Sequence, residues 1–178
     1  LYATVEIIPR KDKRIVLRPR DLNLEDSFSS LTALPENHPL ELITRTLKFY
    51  APKSGLEIST NCQAPQGSGI GGSSALNIAL HGALNKFTGK KYSKQEMIDI
   101  ARNIETQVIR VPAGCQDYFP AMYGGVRSVN PGFLLRLIIP ACVKIFTWPS
   151  ASFQIPGAMV VPARSASGFK CVIFLSGL

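Results

Sequence analysis

The chain has 178 residues, enough for one domain of ordinary size, and 46% of them are hydrophobic while 18% are charged. This composition excludes a disordered tail, because such a segment lacks the apolar residues that a core needs. The net charge of +8 suits an anionic ligand such as a nucleotide or a phosphosugar, and it also suits nucleic acid or a set of solvated basic side chains. The apolar stretch at residues 133–146 is interrupted by Arg136, Pro140 and Lys144, and it is shorter than the roughly 20 residues of a membrane span.

The cysteines and histidines form no recognisable metal motif. They are Cys62, Cys115, Cys142, Cys171, His38 and His81. No pair of cysteines has the C-x-x-C spacing of a zinc site, so we interpret them as buried or half-buried thiols. Since no secretory signal is visible, we expect the protein in the reducing cytoplasm.

The first part of the chain reads as strands, a loop and a helix. Residues 1–8 alternate in polarity and are β-prone, and residues 14–18 form the returning strand after a polar turn. The chain opens within a strand and without an initiator Met, so we expect a truncated start. Residues 21–39 look like a loop. Residues 40–50 have the spacing of a helix that ends before Pro52, and a strand follows at residues 55–62.

The middle of the chain is helical. A helix is predicted over residues 73–87, and the capping box Ser93–Glu96 starts another helix that runs through Val108. A break at 111–114 precedes a short helix at 117–123, with Pro120 in its first turn, and then a strand at 126–129. Beyond residue 132 prolines recur and no period survives, so residues 133–178 are left as an unassigned, degenerate tail.

A glycine-rich segment joins the predicted strand at 55–62 to the helix at 73–87. It reads Pro65-Gln66-Gly67-Ser68-Gly69-Ile70-Gly71-Gly72-Ser73-Ser74. Glycines allow positive φ and close approach, and a helix start directs unpaired amides toward one point, so the segment predicts an anion site, with phosphate the usual anion. The alternative is a plain turn or tight packing. A Walker loop would end in Gly-Lys-Ser/Thr, and a dinucleotide fingerprint would need an acidic residue about 20 residues further on, so both are excluded.

This segment resembles the second signature of the GHMP kinases, such as galactokinase and mevalonate kinase, which reads roughly Pro-x-x-x-Gly-Leu-Gly-Ser-Ser-Ala. About 45 residues later the segment Gly114-Cys115-Gln116-Asp117-Tyr118, followed by Tyr123-Gly124-Gly125, resembles the family's Gly-x-x-Asp-Gln segment and its Gly-Gly strand entry. The Gly-x-Gln-Asp form is most similar to heptose-7-phosphate and fucose-type kinases. The resemblance covers about residues 1–130 and implies an ATP-binding N-terminal domain at residues 1–132.

The resemblance also implies roles for individual residues. The segment Pro65, Gly67, Ser68, Gly69, Ile70, Gly71, Gly72, Ser73, Ser74 would bind the ATP phosphates. Ser73 and Glu105 would hold Mg²⁺, and Asp117 would be the catalytic aspartate that accepts or orients the proton of a sugar or sugar-phosphate hydroxyl. Simpler readings stay open: Ser73 as a helix N-cap, Glu105 as a solvated helix residue, and Asp117 as the N-cap of the short helix.

Two family motifs are not found in the chain: the first, near the natural N terminus, and the third, a Gly-Ala-Gly-x-Gly-Gly loop. We therefore carry three hypotheses: an ATP- and Mg²⁺-dependent sugar kinase or an inactive fragment of one, a non-catalytic remnant with the same fold, and a basic nucleic-acid-binding module. The expected fold is α+β, a two-layer sandwich in which a mostly antiparallel sheet of about four strands carries helices on one face.

Overall fold

The computed structural model describes residues 2–65 and 67–124 fully, and the backbone of residues 163–165 and 168–174. The strands are β1 (Tyr2–Pro9), β2 (Ile15–Pro19), β3 (Asp26–Phe28), β4 (Leu56–Cys62), β5 (Ala163–Ser165) and β6 (Gly168–Phe174). The helices are α1 (Glu41–Tyr50), α2 (Gly72–Thr88), α3 (Lys94–Ile109) and α4 (Tyr118–Tyr123), with a 3₁₀ turn at Leu31–Ala33.

The described strands form one mixed sheet in the order β3-β2-β4-β1-β6-β5. Only the β2–β4 pairing is parallel among these neighbours, and the others are antiparallel. The parallel pair needs a crossover, which the chain makes through α1. The predicted α+β fold with a mostly antiparallel sheet is therefore confirmed, although the sheet has six described strands where about four were expected.

The helices cover one face of the sheet. Strand β1 accordingly alternates between buried residues, which face the helices, and more exposed residues, which face away. Ala3, Val5 and Ile7 are fully buried and face a core that α2 completes with Ile78 and Leu84. The helical layer and the sheet thus share one apolar interface. This interface fixes α2 across the sheet, with its N terminus just past the end of β4.

Most predicted elements lie within one or two residues of their observed bounds, and the capping box at Ser93 is present with both of its hydrogen bonds. Two segments differ from expectation. Residues 21–39 contain the short strand β3 and the 3₁₀ turn, and the tail contributes β5 and β6, of which β6 pairs with β1. The strand predicted at 126–129 lies outside the described residues. Within the described part of the chain, no helix has both the length and the apolarity to cross a bilayer.

A buried histidine gives the fold a pH-dependent stability. His81 on α2 is fully buried, a hydrogen bond of 3.0 Å joins its Nδ1 to the Tyr50 hydroxyl, and its Nε2 has no partner. Burial lowers the pKa of His81 from 6.5 to about 3. Between pH 6.5 and about pH 3, His81 is protonated in the unfolded chain but neutral in the folded chain. The His81 contribution is therefore complete above pH 6.5 and declines as the pH falls toward 3.

We expect the free energy of unfolding to fall by about 1.4 kcal/mol for each pH unit below the ordinary histidine pKa. Urea denaturation at several pH values between about 7.5 and 5 measures this slope, because this range brackets the pKa of histidine in the unfolded chain. The His81→Gln variant should have a shallower slope, since its side chain does not titrate. Equal slopes in the two proteins would contradict the assignment.

Candidate active site

The glycine-rich loop runs from the end of β4 into α2, and its glycines adopt backbone angles that other residues rarely adopt. Gly67, Gly69 and Gly71 have φ of +76°, +70° and +75°, a region that side chains rarely adopt. At Gly72 an added Cβ would lie 2.8 Å from the Ala64 Cβ, so this glycine lets the helix start pack closely on the strand end. The loop conformation therefore depends on residues without side chains.

The loop ends at the N terminus of α2 and leaves amides unpaired there. Gly71 is the N-cap residue, and the first helical hydrogen bond runs from the Ala75 N–H to the Gly71 carbonyl over 3.0 Å. By helix geometry the preceding amides, through Ser74, have no acceptor within the helix. They point toward the loop at the positive end of the helix dipole, which is a favourable place for an anion.

Asp117 lies directly against this helix start. A Cβ built on Gly71 would be 3.3 Å from both the Cβ and the Cγ of Asp117, and 3.6 Å from Oδ2. The Asp117 side chain thus lies beside the glycine loop, although 46 positions separate Gly71 from Asp117 in the sequence. Asp117 occupies the N-cap position of α4, but its side chain makes no capping hydrogen bond and is half-buried.

Glu105 lies beside these two groups on α3. Its carboxylate accepts a hydrogen bond from the Tyr118 hydroxyl, and the Ser73 hydroxyl lies near it. Burial raises the pKa of Glu105, the polar influence of the Ser73 hydroxyl opposes this rise, and the nearby charge of Asp117 adds to it. Two carboxylates therefore face the same helix start, and a cation between them would relieve their repulsion.

A cleft of about 860 Å³ opens over the loop. Its walls come from residues 21–22, 38–43, 62–65, 67–69, 71–73, 76, 108 and 117. The volume lies within the range of about 300–1,000 Å³ for small-molecule sites. Among these lining residues Asp21, Glu41 and Asp117 are acidic and none is a lysine or arginine, so positive charge for an anion would come from backbone amides or from a cation.

Most predicted site residues converge on this cleft. Pro65, Gly67, Ser68, Gly69, Gly71, Gly72, Ser73 and Asp117 line it. Ile70, whose side chain is exposed, and the buried Ser74 are not part of the lining. Glu105 is likewise not part of the lining.

The structure also decides between the simpler readings of these residues. Ser73 is the second residue of α2 and Gly71 is the N-cap, so the N-cap reading of Ser73 is wrong. Asp117 is an N-cap by position only, since its side chain caps nothing. Glu105 is half-buried and hydrogen-bonded, and so is not a solvated helix residue.

No group of three or more His, Cys, Asp or Glu side chains within the described ranges could hold a metal ion. This finding does not conflict with a Mg²⁺ site built on one or two carboxylates, because Mg²⁺ in such sites takes most of its ligands from water and substrate phosphates.

Sequence reasoning missed Asn77 and Tyr118. Asn77 donates from Nδ2 to the Ala101 carbonyl at 3.0 Å and to the Tyr118 hydroxyl at 3.2 Å, and both side chains are buried. A signal for Asn77 was available: it is a polar residue inside the apolar run of α2, and a buried amide needs partners. The role of Tyr118 had no such local signal, since Glu105 and Asn77 lie on other helices.

A mixed sheet with helices on one face, and a glycine-rich loop at a helix N terminus, define an α+β domain with a helix start of the kind at which anions commonly bind. Comparison with known families narrows this class. Residues 38–125 match the family described as "GHMP kinases N terminal domain", and the chain carries a domain of this family.

Several known proteins are similar to the chain. It is 27% identical over 159 residues to a D-glycero-alpha-D-manno-heptose 7-phosphate kinase of Campylobacter jejuni, an alignment that covers 86% of the chain and 47% of that protein. It is 35% identical over 92 residues to a mevalonate kinase of Methanothermobacter thermautotrophicus, covering 52% of the chain and 30% of the relative. A solved D-glycero-D-manno-heptose 1-phosphate kinase of Bacteroides thetaiotaomicron superposes with a TM-score of 0.62 at 26% identity, covering 69% of the chain and 42% of that structure.

These coverages have two consequences. The chain spans less than half the length of the relatives it matches. Residues 1–132, where we expected resemblance, make up 74% of the 178 residues. The Campylobacter alignment covers 86% of the chain and therefore extends beyond that segment. The expected likeness to heptose-phosphate kinases is confirmed.

Proposed function

We propose that the protein is an ATP- and Mg²⁺-dependent kinase that transfers the γ-phosphoryl group to a hydroxyl of a sugar or sugar phosphate. One observation carries the proposal: the Asp117 side chain lies beside Gly71 at the N terminus of α2, so close that a Cβ added to Gly71 would be 3.3 Å from the Asp117 Cβ and Cγ. A hydroxyl that approaches an anion bound at this helix end therefore meets a proton acceptor at the same place. Phosphoryl transfer needs such an arrangement more than it needs covalent chemistry from the protein.

The residues of the cleft fit a nucleoside triphosphate. Free amides at the start of α2 and the open positions beside Gly67 and Gly69, where an added Cβ would meet nothing within 4 Å, leave room for an extended anion. Ser73 and Glu105 would hold the cation, with the hydroxyl and carboxylate oxygens that Mg²⁺ prefers. When bound, Mg²⁺-ATP supplies the transferable phosphoryl group and a cation that neutralises charge on its oxygens.

Asp117 has the role of general base in this proposal. Its side chain lies beside Gly71 and does not cap α4, so the carboxylate is available to accept the proton of the substrate hydroxyl or to orient that hydroxyl. The Glu105 carboxylate accepts a hydrogen bond from Tyr118 and is assigned to the cation, which leaves the proton-accepting role to Asp117. The two carboxylates thus have different tasks because they have different partners.

The substrate class is proposed from the relatives, whose names specify heptose phosphates. The free thiols of Cys62 and Cys115 are compatible with the reducing cytoplasm, where we place the reaction. The chain's basic N-terminal region does not favour the nucleic-acid alternative, since Arg10, Arg18 and Arg20 are all in ion pairs with carboxylates.

The Ser73→Ala variant tests the cation part of the proposal. We expect it to weaken binding of Mg²⁺-ATP by about 10-fold, because one oxygen ligand of the cation is lost. Isothermal titration of both proteins with ATP, in the presence of Mg²⁺ and of EDTA, measures the effect, and only the Mg²⁺ titration should change.

Ser93→Ala is the matched control for Ser73→Ala. It removes the N-cap of α3, outside the cleft lining, and should affect stability without changing nucleotide affinity. Turnover with a panel of sugar phosphates then tests the substrate class. The kinase proposal would be abandoned if the wild-type protein bound neither ATP nor Mg²⁺-ATP.

A further inference from the structure

We propose that Tyr118 is a positioning residue, whose buried hydroxyl holds the Glu105 carboxylate in the orientation that a divalent cation requires. The inference rests on the proposed function, and it concerns a residue that would touch neither the nucleotide nor the cation. Tyr118 is 1% exposed and donates its hydroxyl proton to Glu105 Oε2.

The Tyr118 hydroxyl is itself held from the other side. Asn77 is fully buried and donates from Nδ2 to the Tyr118 hydroxyl at 3.2 Å and to the Ala101 carbonyl at 3.0 Å. Ala101 precedes Glu105 by four residues on α3, so both hydrogen bonds act on the same turn of that helix. Asn77 thus anchors the backbone below Glu105, and Tyr118 anchors its side chain.

Helix geometry links this network to the helix N terminus. Asn77 follows Ser73 by four residues on α2, which places the two side chains one turn apart on one face. The Ser73 hydroxyl lies near Glu105, and Asn77 reaches Glu105 through Tyr118. Three helices therefore meet at one carboxylate, whose side chain would otherwise have several rotamers to choose from.

A direct catalytic role does not fit Tyr118. It is buried, it does not line the cleft, and its hydroxyl proton is already directed to Glu105. Hydrogen-bond partners behind a metal ligand fix its orientation, and their removal typically lowers metal affinity by about 10–100-fold. Tyr118 has the position of such a partner for Glu105.

The test compares Tyr118→Phe with wild type in a titration with Mn²⁺ at saturating ATP, followed by electron paramagnetic resonance. We expect about 10–100-fold weaker Mn²⁺ binding in the variant, with ATP affinity in EDTA unchanged. Tyr50→Phe is the matched control, because it removes another buried tyrosine hydroxyl, bonded to His81 at 3.0 Å, and should leave Mn²⁺ binding unchanged.

A double-mutant cycle with Glu105→Gln separates positioning from general packing. If Tyr118 acts through Glu105, the Tyr118→Phe change should weaken Mn²⁺ binding much less when Glu105 is already replaced. The same cycle on urea unfolding without metal should show a combined loss smaller than the sum of the single losses.

Each outcome bears on a different claim. Additive effects in both cycles would overturn the positioning role even if the protein binds Mn²⁺-ATP normally. Wild-type protein that binds ATP but no Mn²⁺ would overturn the cation site and the role of Tyr118 with it. Absence of ATP binding would instead remove the proposed function itself, whatever the unfolding cycle shows.

Discussion

Replacing Asp117 with asparagine should lower kcat by about 10²–10⁴-fold, the usual contribution of a positioned general base. Asparagine has nearly the same shape, so the contact with Gly71 persists while the proton-accepting charge disappears. Steady-state kinetics of phosphoryl transfer, with ATP affinity measured separately by titration, distinguishes this loss from a loss of binding. We expect the affinity for ATP to change little.

The same substitution should not destabilise the fold. Burial raises the pKa of Glu105 and the charge of Asp117 adds to that rise, which means that the two carboxylates repel each other in the folded protein. Removing one charge relieves this repulsion, so the melting temperature of Asp117→Asn should equal or exceed that of wild type. A gain in stability with a loss of rate is typical of residues kept for function.

The control for Asp117→Asn is Asp99→Asn. Asp99 is an exposed carboxylate on α3 whose described hydrogen bonds come from Gln95 one turn away. This change should leave kcat at the wild-type value. An Asp117→Asn protein that keeps wild-type kcat would exclude Asp117 as the base.

Local pattern was enough to predict the elements that order the site. The apolar spacing of residues 40–50 and the capping box at Ser93 describe contacts within one helix, so the chain segment itself contains the information. The same holds for the glycine loop, because positive φ at Gly67, Gly69 and Gly71 is a property of each residue.

What the sequence did not reveal depends on contacts between distant segments. Strand β6 pairs with β1 across more than 150 positions, and nothing in its own composition indicates that partner. The hydrogen bond between Asn77 and Tyr118 joins two helices through residues that are 41 positions apart. Such pairings follow from how the layers pack, and a reading of local periodicity does not contain them.

Gly71 offers the second large effect, because its position combines backbone strain with a contact to the proposed base. Its φ of +75° disfavours any side chain, and a Cβ would lie 3.3 Å from the Cβ and Cγ of Asp117. In Gly71→Ala either the helix start or the carboxylate must shift by a few tenths of an ångström. Small displacements of catalytic groups are costly, and we expect kcat to fall by about 10- to 100-fold.

Two other glycines separate the contact from the strain. Gly89 ends α2 at φ +69° and Gly69 lies in the loop at φ +70°, and an added Cβ at either position meets nothing within 4 Å. Gly89→Ala should therefore cost about 1–2 kcal/mol of unfolding free energy, as left-handed strain does, with kcat unchanged. Gly69→Ala carries the same strain within the loop, so it can weaken ATP binding but should reduce kcat less than Gly71→Ala.

If Gly71→Ala and Gly69→Ala lower kcat equally, the loop conformation alone matters and the contact between Gly71 and Asp117 has no catalytic role. A larger loss at Gly71 would locate the sensitivity at this contact, where the helix start, the bound anion and the base of the proposed reaction come together.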